Sequence, residues 1–265
     1  MCFDVQVANM ARNLWPAQVW ITRHGQSAGN VARDEAERLG APVIDIAGRD
    51  VDVPLSPLGM QQAQALGRWL GELPPQRRPN VILCSPYMRA VATAEYMLDA
   101  ADVSRSDVYF LIDERLREKE FGILDRLTRL GIQQKFPELD AQRQHVGKFY
   151  FRPPGGESWC DVILRLRGML DTLKSEFPEQ RVMVIAHQVI VNCFRYLVEG
   201  MTEAEILAID RAGDVPNCAV TSYRFDPEAA VNGKLILETA NFVQPLLEGG
   251  APITSREDMP KAARS

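Results

Sequence analysis

No stretch of this 265-residue chain reaches the roughly 18 consecutive apolar residues that a membrane-spanning helix requires. Basic residues are also short, with 30 Lys and Arg against 35 Asp and Glu. The resulting net charge of -5 gives no electrostatic ground for binding nucleic acid or an anionic membrane. An anionic substrate would need a local basic pocket working against that field. Only five cysteines are present (Cys2, Cys84, Cys160, Cys193 and Cys218), and none are paired by spacing. Cys84, Cys193 and Cys218 lie in or beside apolar runs and read as buried free thiols, which suits a reducing, cytoplasmic setting. Residues 1 to 15 carry Asp4 and no basic stretch leading into an apolar block, so no signal peptide is expected. Internal repeats and low-complexity blocks are missing too.

What is present is an alternation of short apolar runs with amphipathic segments. Val19–Thr22, Val81–Cys84, Val108–Ile112, Arg181–Ala186, Ala219–Phe225 and Lys234–Thr239 read as strands. Ser56-Pro57 starts a helix with serine as N-cap and proline at its first position, and Ser85-Pro86 repeats the signal for a helix running through Arg89 to about Ala100. Further helices are expected from Leu127 to Phe136, closed by Pro137, from Glu157 or Ser158 to about Phe177, and from Val189 to Glu199. Thr202 with Glu205 forms a capping-box signature for another. The pattern predicts an α/β three-layer sandwich, a mostly parallel central sheet with helices on both faces. One domain is expected over residues 17–247, after a lead-in of residues 1–16 and before a loose tail from 248 to 265. Residues 31–53 read as an exposed excursion, and residues 125–157 as a second insertion near the site.

Histidine is the scarcest informative residue, with three in the chain, and two of them directly follow predicted strands: His24 after Val19–Thr22 and Arg23, and His187 after Arg181–Ala186. Ligands of open α/β sheets sit at the carboxyl ends of strands. Metal binding is disfavoured, because no His-x-x-x-His or His-x-His spacing exists and cationic Arg23 adjoins His24. Imidazoles beside guanidiniums suit a phosphate instead. Arginine forks pair two phosphate oxygens and keep their charge. A neutral imidazole can attack phosphorus, and a carboxylic acid can protonate the leaving oxygen.

Arg23-His24-Gly25-Gln26-Ser27 with Asn30 resembles the signature of the histidine phosphatase superfamily, which includes the phosphoglycerate mutases. Leu55-Ser56 with Gly59, Gln62 and Ala63, Ser85-Pro86 with Arg89-Ala90 and Thr93-Ala94, Leu116-Arg117-Glu118 with Gly122, Gly156-Glu157-Ser158 and Ala186-His187 extend the likeness in order. The resemblance implies a phosphoglycerate mutase-like fold with His24 as nucleophile. Arg23, Arg89 and His187 would hold phosphoryl oxygens, with Asn30 at the rim, Gln26 beside it and Glu118 as proton donor. It implies no metal and no cofactor. Glu120 reads as a surface charge and Ser85 as architecture.

Leu116–Gly122 departs from the Glu-Arg-His-Tyr-Gly stretch of the mutases. The segment from Glu118 to Gln188 is more similar to the fructose 2,6-bisphosphatase domain, which implies that Arg143, Lys148 and Gln188 contact the substrate. Arg129 stands where that domain has a tyrosine. A solvated basic loop is the plainer account of Arg143, Lys148 and Arg152, as packing is of Tyr150 and Trp159. The expected activity is metal-independent hydrolysis of a small anionic phosphorylated metabolite, a sugar phosphate or bisphosphate. A phosphoglycerate mutase, a protein phosphatase and a non-catalytic scaffold are the rivals, and the oligomeric state is open.

Overall fold

The computed structural model describes residues 15–254. Cys2, Asp4 and most of the expected lead-in therefore lie outside the described residues, as does the tail beyond Thr254. Six strands form one sheet: β1 (Gln18–Arg23), β2 (Val81–Cys84), β3 (Tyr109–Ile112), β4 (Arg181–Ala186), β5 (Val220–Asp226) and β6 (Lys234–Phe242), in the order β3-β2-β4-β1-β5-β6. The first four are mutually parallel, whereas β5 runs antiparallel to β1 and β6 antiparallel to β5.

The described helices are α1 (Ala28–Arg38), α2 (Pro57–Glu72), α3 (Met88–Ala100), α4 (Arg129–Lys135), α5 (Pro137–Val146), α6 (Trp159–Glu176), α7 (Gln188–Glu199), α8 (Glu203–Ala212) and α9 (Gln244–Glu248). Successive strand residues point to opposite faces, and both faces are covered, so β1, β2 and β4 are apolar throughout their centres. Val19, Ile21, Val182 and Val184 pack against Trp159 and Leu166 of α6, Phe194 of α7 and Ile206 of α8. Trp20, Ile82, Met183 and Ile185 pack on the other side against Leu66 of α2, Met97 of α3 and Leu246 of α9. This is the expected three-layer α/β sandwich.

The parallel register sets the site. Arg23 pairs with Ala186 and Cys84 with Ile185, so the chain leaves β1, β4 and β2 at one level. The His24 N–H continues the ladder to the Ala186 carbonyl at 2.9 Å, and the Ser85 N–H to that of Ile185 at 3.0 Å.

Three helix boundaries differ from expectation. The first part of the supposed excursion is helix α1, whose capping box joins Ser27 and Asn30. Its only buried residue is Ala36, so no apolar periodicity reveals it. Helix α3 begins at Met88 rather than at Ser85-Pro86, and its N-cap Tyr87 makes no side-chain cap. Pro137 ends α4 but also opens α5, as proline at a first helical position can.

The two segments expected to be insertions meet. Val43 and Leu127 form an isolated antiparallel bridge, Ile44 N–H donates to Arg126 O at 2.8 Å, and Thr128 N–H donates to Pro42 O at 3.1 Å. Arg126 Nη1 donates to Ile46 O at 2.9 Å, and Thr128 Oγ1 to Ala41 O at 2.7 Å. Glycine is required at 131, where a Cβ would stand 1.9 Å from the Pro42 oxygen.

Candidate active site

The turn after β1 is held from several sides. Gly25 N–H donates to Thr93 Oγ1 at 3.0 Å, Gln26 N–H to Gln62 Oε1 at 2.8 Å, and Asn217 Nδ2 to His24 O at 2.8 Å. A Cβ on Gly25 would lie 2.5 Å from Gly59 O, and one on Gly59 would lie 2.0 Å from Gln26 O. Glycine at both positions lets this turn sit directly on the start of α2.

His24 is buried, and its Nδ1 lies 2.7 Å from Gly25 O. A carbonyl only accepts, so Nδ1 carries the proton and Nε2 of the neutral ring presents a lone pair. Arg89 Nε donates to that Nε2 at 3.2 Å. Burial, then the charges of Arg89 and Arg23, hold the imidazole well below its ordinary pKa and keep it neutral.

His187 lies edge-on to His24 with ring centroids 5.1 Å apart, and it is likewise held neutral by burial and then by Arg89. Its Nε2 is 2.7 Å from Ser85 Oγ. Ser85, expected to be purely architectural, thus orients the second histidine. His187 Nδ1 and Arg23 Nε are both buried without a hydrogen-bond partner among the described residues. Ser85 Oγ already accepts from Tyr87 N–H at 3.3 Å, so its hydroxyl can donate to His187 Nε2 and leave the proton of the neutral ring on Nδ1. Two buried donors without an acceptor are costly, and a pair of them in one cluster suits an anion. Arg23 Nη1 donates to Val215 O at 2.6 Å, and burial lowers its pKa to about 10.

Arg89 reaches from the first turn of α3, and Asp50 receives its fork. Nη1 donates to Asp50 Oδ1 at 3.0 Å and to its backbone oxygen at 2.7 Å, and Nη2 donates to Oδ2 at 3.1 Å. This two-point pairing is the one an arginine makes with phosphate.

Glu118 lines the cleft, and burial pushes its carboxyl above the usual range despite the Lys119 N–H that donates to it at 2.8 Å. Its backbone is braced by Arg165, whose Nη2 donates to Glu118 O at 3.2 Å and whose Nε donates to Glu157 Oε1 at 2.9 Å. Glu157 also receives Arg117 Nη2 at 2.7 Å, so the Gly156-Glu157-Ser158 motif supports the acid-bearing loop. Glu120 is exposed and accepts from Tyr87 OH at 3.1 Å, outside the cleft lining.

Around this cluster lies a cleft of about 720 Å³, in which basic side chains outnumber acidic ones although the chain is net negative. Asn30, Gln188, Arg143 and Lys148 all line it. Asn30 Oδ1 accepts from Ser27 N–H at 3.0 Å, Gln188 Nε2 donates to Asp214 at 2.7 Å, and Lys148 is paired with Asp210. Gln26 is the residue the structure does not bring in: its Oε1 accepts from Ser56 Oγ at 2.7 Å, at the N-cap of α2. His145 is exposed and outside the lining, while Trp159 is core, though it reaches the cleft floor.

Sequence reasoning missed Asp50, Lys119, Arg33 and Asp214. Lys119 is buried beside Glu118, and burial lowers its ammonium to about 8. Arg33 meets Asp214 at 3.5 Å. Only the adjacency of Lys119 to Glu118 offered any linear signal. Among the described residues no group of three His, Cys, Asp or Glu side chains gathers as a metal site, and no helix is long and apolar enough to cross a membrane.

Residues 19–235 match the family model of the Histidine phosphatase superfamily (branch 1). A 6-phosphofructo-2-kinase/fructose-2,6-bisphosphatase of Caenorhabditis elegans is 30% identical over 182 residues, 68% of this chain but 34% of that protein. The chain thus spans about a third of that relative's length. A 2,3-bisphosphoglycerate-dependent phosphoglycerate mutase of Rhizobium meliloti is 26% identical over 221 residues, 82% of this chain and 94% of the relative. Among solved structures, a mycobacterial glucosyl-3-phosphoglycerate phosphatase with inorganic phosphate superposes with TM-score 0.63 and 24% identity, over 86% of this chain and 99% of the other. Bacillus stearothermophilus YhfR gives 0.65 and 23%, over 86% and 98%. At these identities the structural likeness concerns the fold.

Proposed function

Because the chain belongs to the histidine phosphatase superfamily, branch 1, we propose that it is a phosphoric monoester hydrolase working through a phosphohistidine at His24. The observation that carries this reading is the neutral His24 Nε2, bonded by Arg89 and set beside two buried, unpaired donors, His187 Nδ1 and Arg23 Nε. A phosphoryl group bound there satisfies both donors and takes over the Arg89 fork from Asp50. Nε2 attacks phosphorus as the ester P–O bond breaks, and protonated Glu118 gives its proton to the leaving oxygen. The Glu118 carboxylate then takes a proton from water, whose oxygen displaces phosphate from Nε2. Positioning and charge neutralisation carry most of such a reaction.

The substrate class is a small phosphorylated metabolite, with sugar phosphates and bisphosphates the first to test. The names of the relatives support this, as do Lys119 and Arg143, for which no ion pair exists among the described residues. Phosphoglycerate mutase is the second reading, supported by the 94% coverage of that relative. The free thiols Cys84, Cys160, Cys193 and Cys218 fit a cytoplasmic location. Incubation with a labelled phosphate ester, acid-labile label on His24, and release of inorganic phosphate exceeding exchange between phosphoglycerates is the expected result. Exchange in excess would establish the mutase instead, and no label on His24 would end both readings.

A further inference from the structure

Beyond the phosphoryl cluster, the cleft changes character. The wall built by the joined insertions presents Ile44, Ile46, Leu127, Leu130 and Ile132, and Phe121 stands beside it. Phe121 and Leu130 remain 45% and 39% exposed, although both have large apolar side chains. Exposed apolar surface concentrated in a groove marks a ligand site. Between the charged side chains of Asp125, Arg126 and Arg129, which line the same cleft, the backbone of the wall has little left to offer. Ile44 N–H, Ile46 O, Thr128 N–H and Thr128 Oγ1 are spent in tying the two insertions together. A sugar hydroxyl pressed against the side chains of Ile44, Ile46, Leu127, Leu130 and Ile132 would lose water without gaining a partner, which is unfavourable.

We infer that the substrate is an amphiphilic phosphomonoester, whose alcohol portion carries an alkyl or aryl surface against the wall formed by residues 41–46 and 121–132. The inference rests on the hydrolase reading and narrows it: a fully polar sugar bisphosphate leaves the apolar side chains of the wall unused, whatever it gains from Arg129. Lys119 and Arg143 line the same cleft, so a polar or anionic group elsewhere on the ester is compatible with it. The cleft of about 720 Å³ is of the size that holds drug-sized ligands.

The test is a series of primary alkyl phosphates (ethyl, butyl and hexyl), whose leaving groups are chemically alike, run beside glycerol phosphate, fructose 2,6-bisphosphate and p-nitrophenyl phosphate. The expected result is a kcat/KM that rises about two- to fourfold per added methylene, with hexyl phosphate above both polar esters. Leu130→Ser and Phe121→Ser, at exposed positions where folding is least at risk, should lower kcat/KM for hexyl phosphate more than for ethyl phosphate. A flat or falling series, with p-nitrophenyl phosphate still turned over, overturns the inference and spares the hydrolase reading. Equal losses on both esters in the two variants also overturn it. No phosphate released from any ester overturns the hydrolase reading and this inference with it.

Discussion

The phosphoryl cluster and the apolar wall line the same cleft but are built by different means. Arg23, His24, Ser85 and His187 leave three adjacent parallel strands at one level, and backbone bonds to Ala186 and Ile185 hold two of those exits in ladder register. The wall comes from two segments far apart in sequence, with Thr128 and Ala41 separated by 87 positions, joined by one isolated bridge and a few loop hydrogen bonds. Sheet register places the chemistry, which has to be accurate to a fraction of an ångström. Loop insertions decide what stands opposite it, and loops tolerate change that a central strand does not. On the proposed reading, reaction class and substrate choice are carried by separable parts of the molecule.

The sharpest way to break that comparison is at the cluster. His24→Ala removes the nucleophile, and turnover of every ester should fall by about 10^4-fold or more with an unchanged circular dichroism spectrum. Residual activity near that of the parent enzyme would end the assignment. Glu118→Gln should be next, with a loss of about 10^2- to 10^4-fold on alkyl phosphates and much less on p-nitrophenyl phosphate, whose leaving group needs no proton.

The pH profile of kcat/KM follows from the same groups. Burial and arginine charge depress the His24 pKa, so its neutral form persists as pH falls, and the acid limb lies below the ordinary imidazole range. Burial raises the Glu118 pKa, so its protonated form persists above the usual carboxylate range and is lost as pH rises through the raised value. The alkaline limb should therefore belong to Glu118, and Glu118→Gln should remove it while leaving the acid limb in place.

Much of the cluster is legible in sequence because its members follow apolar strands directly: Val19–Thr22 leads to Arg23-His24, and Val182–Ala186 to His187. Parallel strands end at one face, so linear position there translates into spatial convergence. Helix α1 escapes because Ala36 alone is buried, which leaves no periodic face to read. Asp50 escapes because its partner lies 39 residues away on another element. Gln26 departs from expectation for the opposite reason: it adjoins the motif, but its side chain turns to Ser56 and lies outside the cleft lining. Proximity in sequence tells which strand end a residue belongs to, and not which way its side chain leaves.

At the wall, Gly131→Ala should cost about 1–3 kcal/mol of stability, since the added Cβ would meet the Pro42 carbonyl at 1.9 Å and force the two insertions apart. Thermal unfolding measures that cost. Should separation of the insertions leave the dependence on alkyl length intact, the joined wall would not be what the ester contacts. A Tm equal to that of the parent would show that the insertions pack independently.

The smallest effect sits where the two regions touch. Asp50 belongs to the loop that follows α1, yet its carboxylate takes the Arg89 fork in the same two-point manner as a phosphate. On the proposed reading a phosphoryl group displaces it, so its charge competes with substrate for one guanidinium. The Asp50 side chain is 46% exposed, and an ion pair with one partner so solvated is worth at most about 1 kcal/mol. Asp50→Asn should accordingly tighten binding of inorganic phosphate by no more than about fivefold, measurable as a lower product-inhibition constant. If the variant instead binds phosphate more weakly and turns over more slowly, then Asp50 serves to aim Arg89 at His24. The loop would then belong to the phosphoryl cluster as much as to the wall.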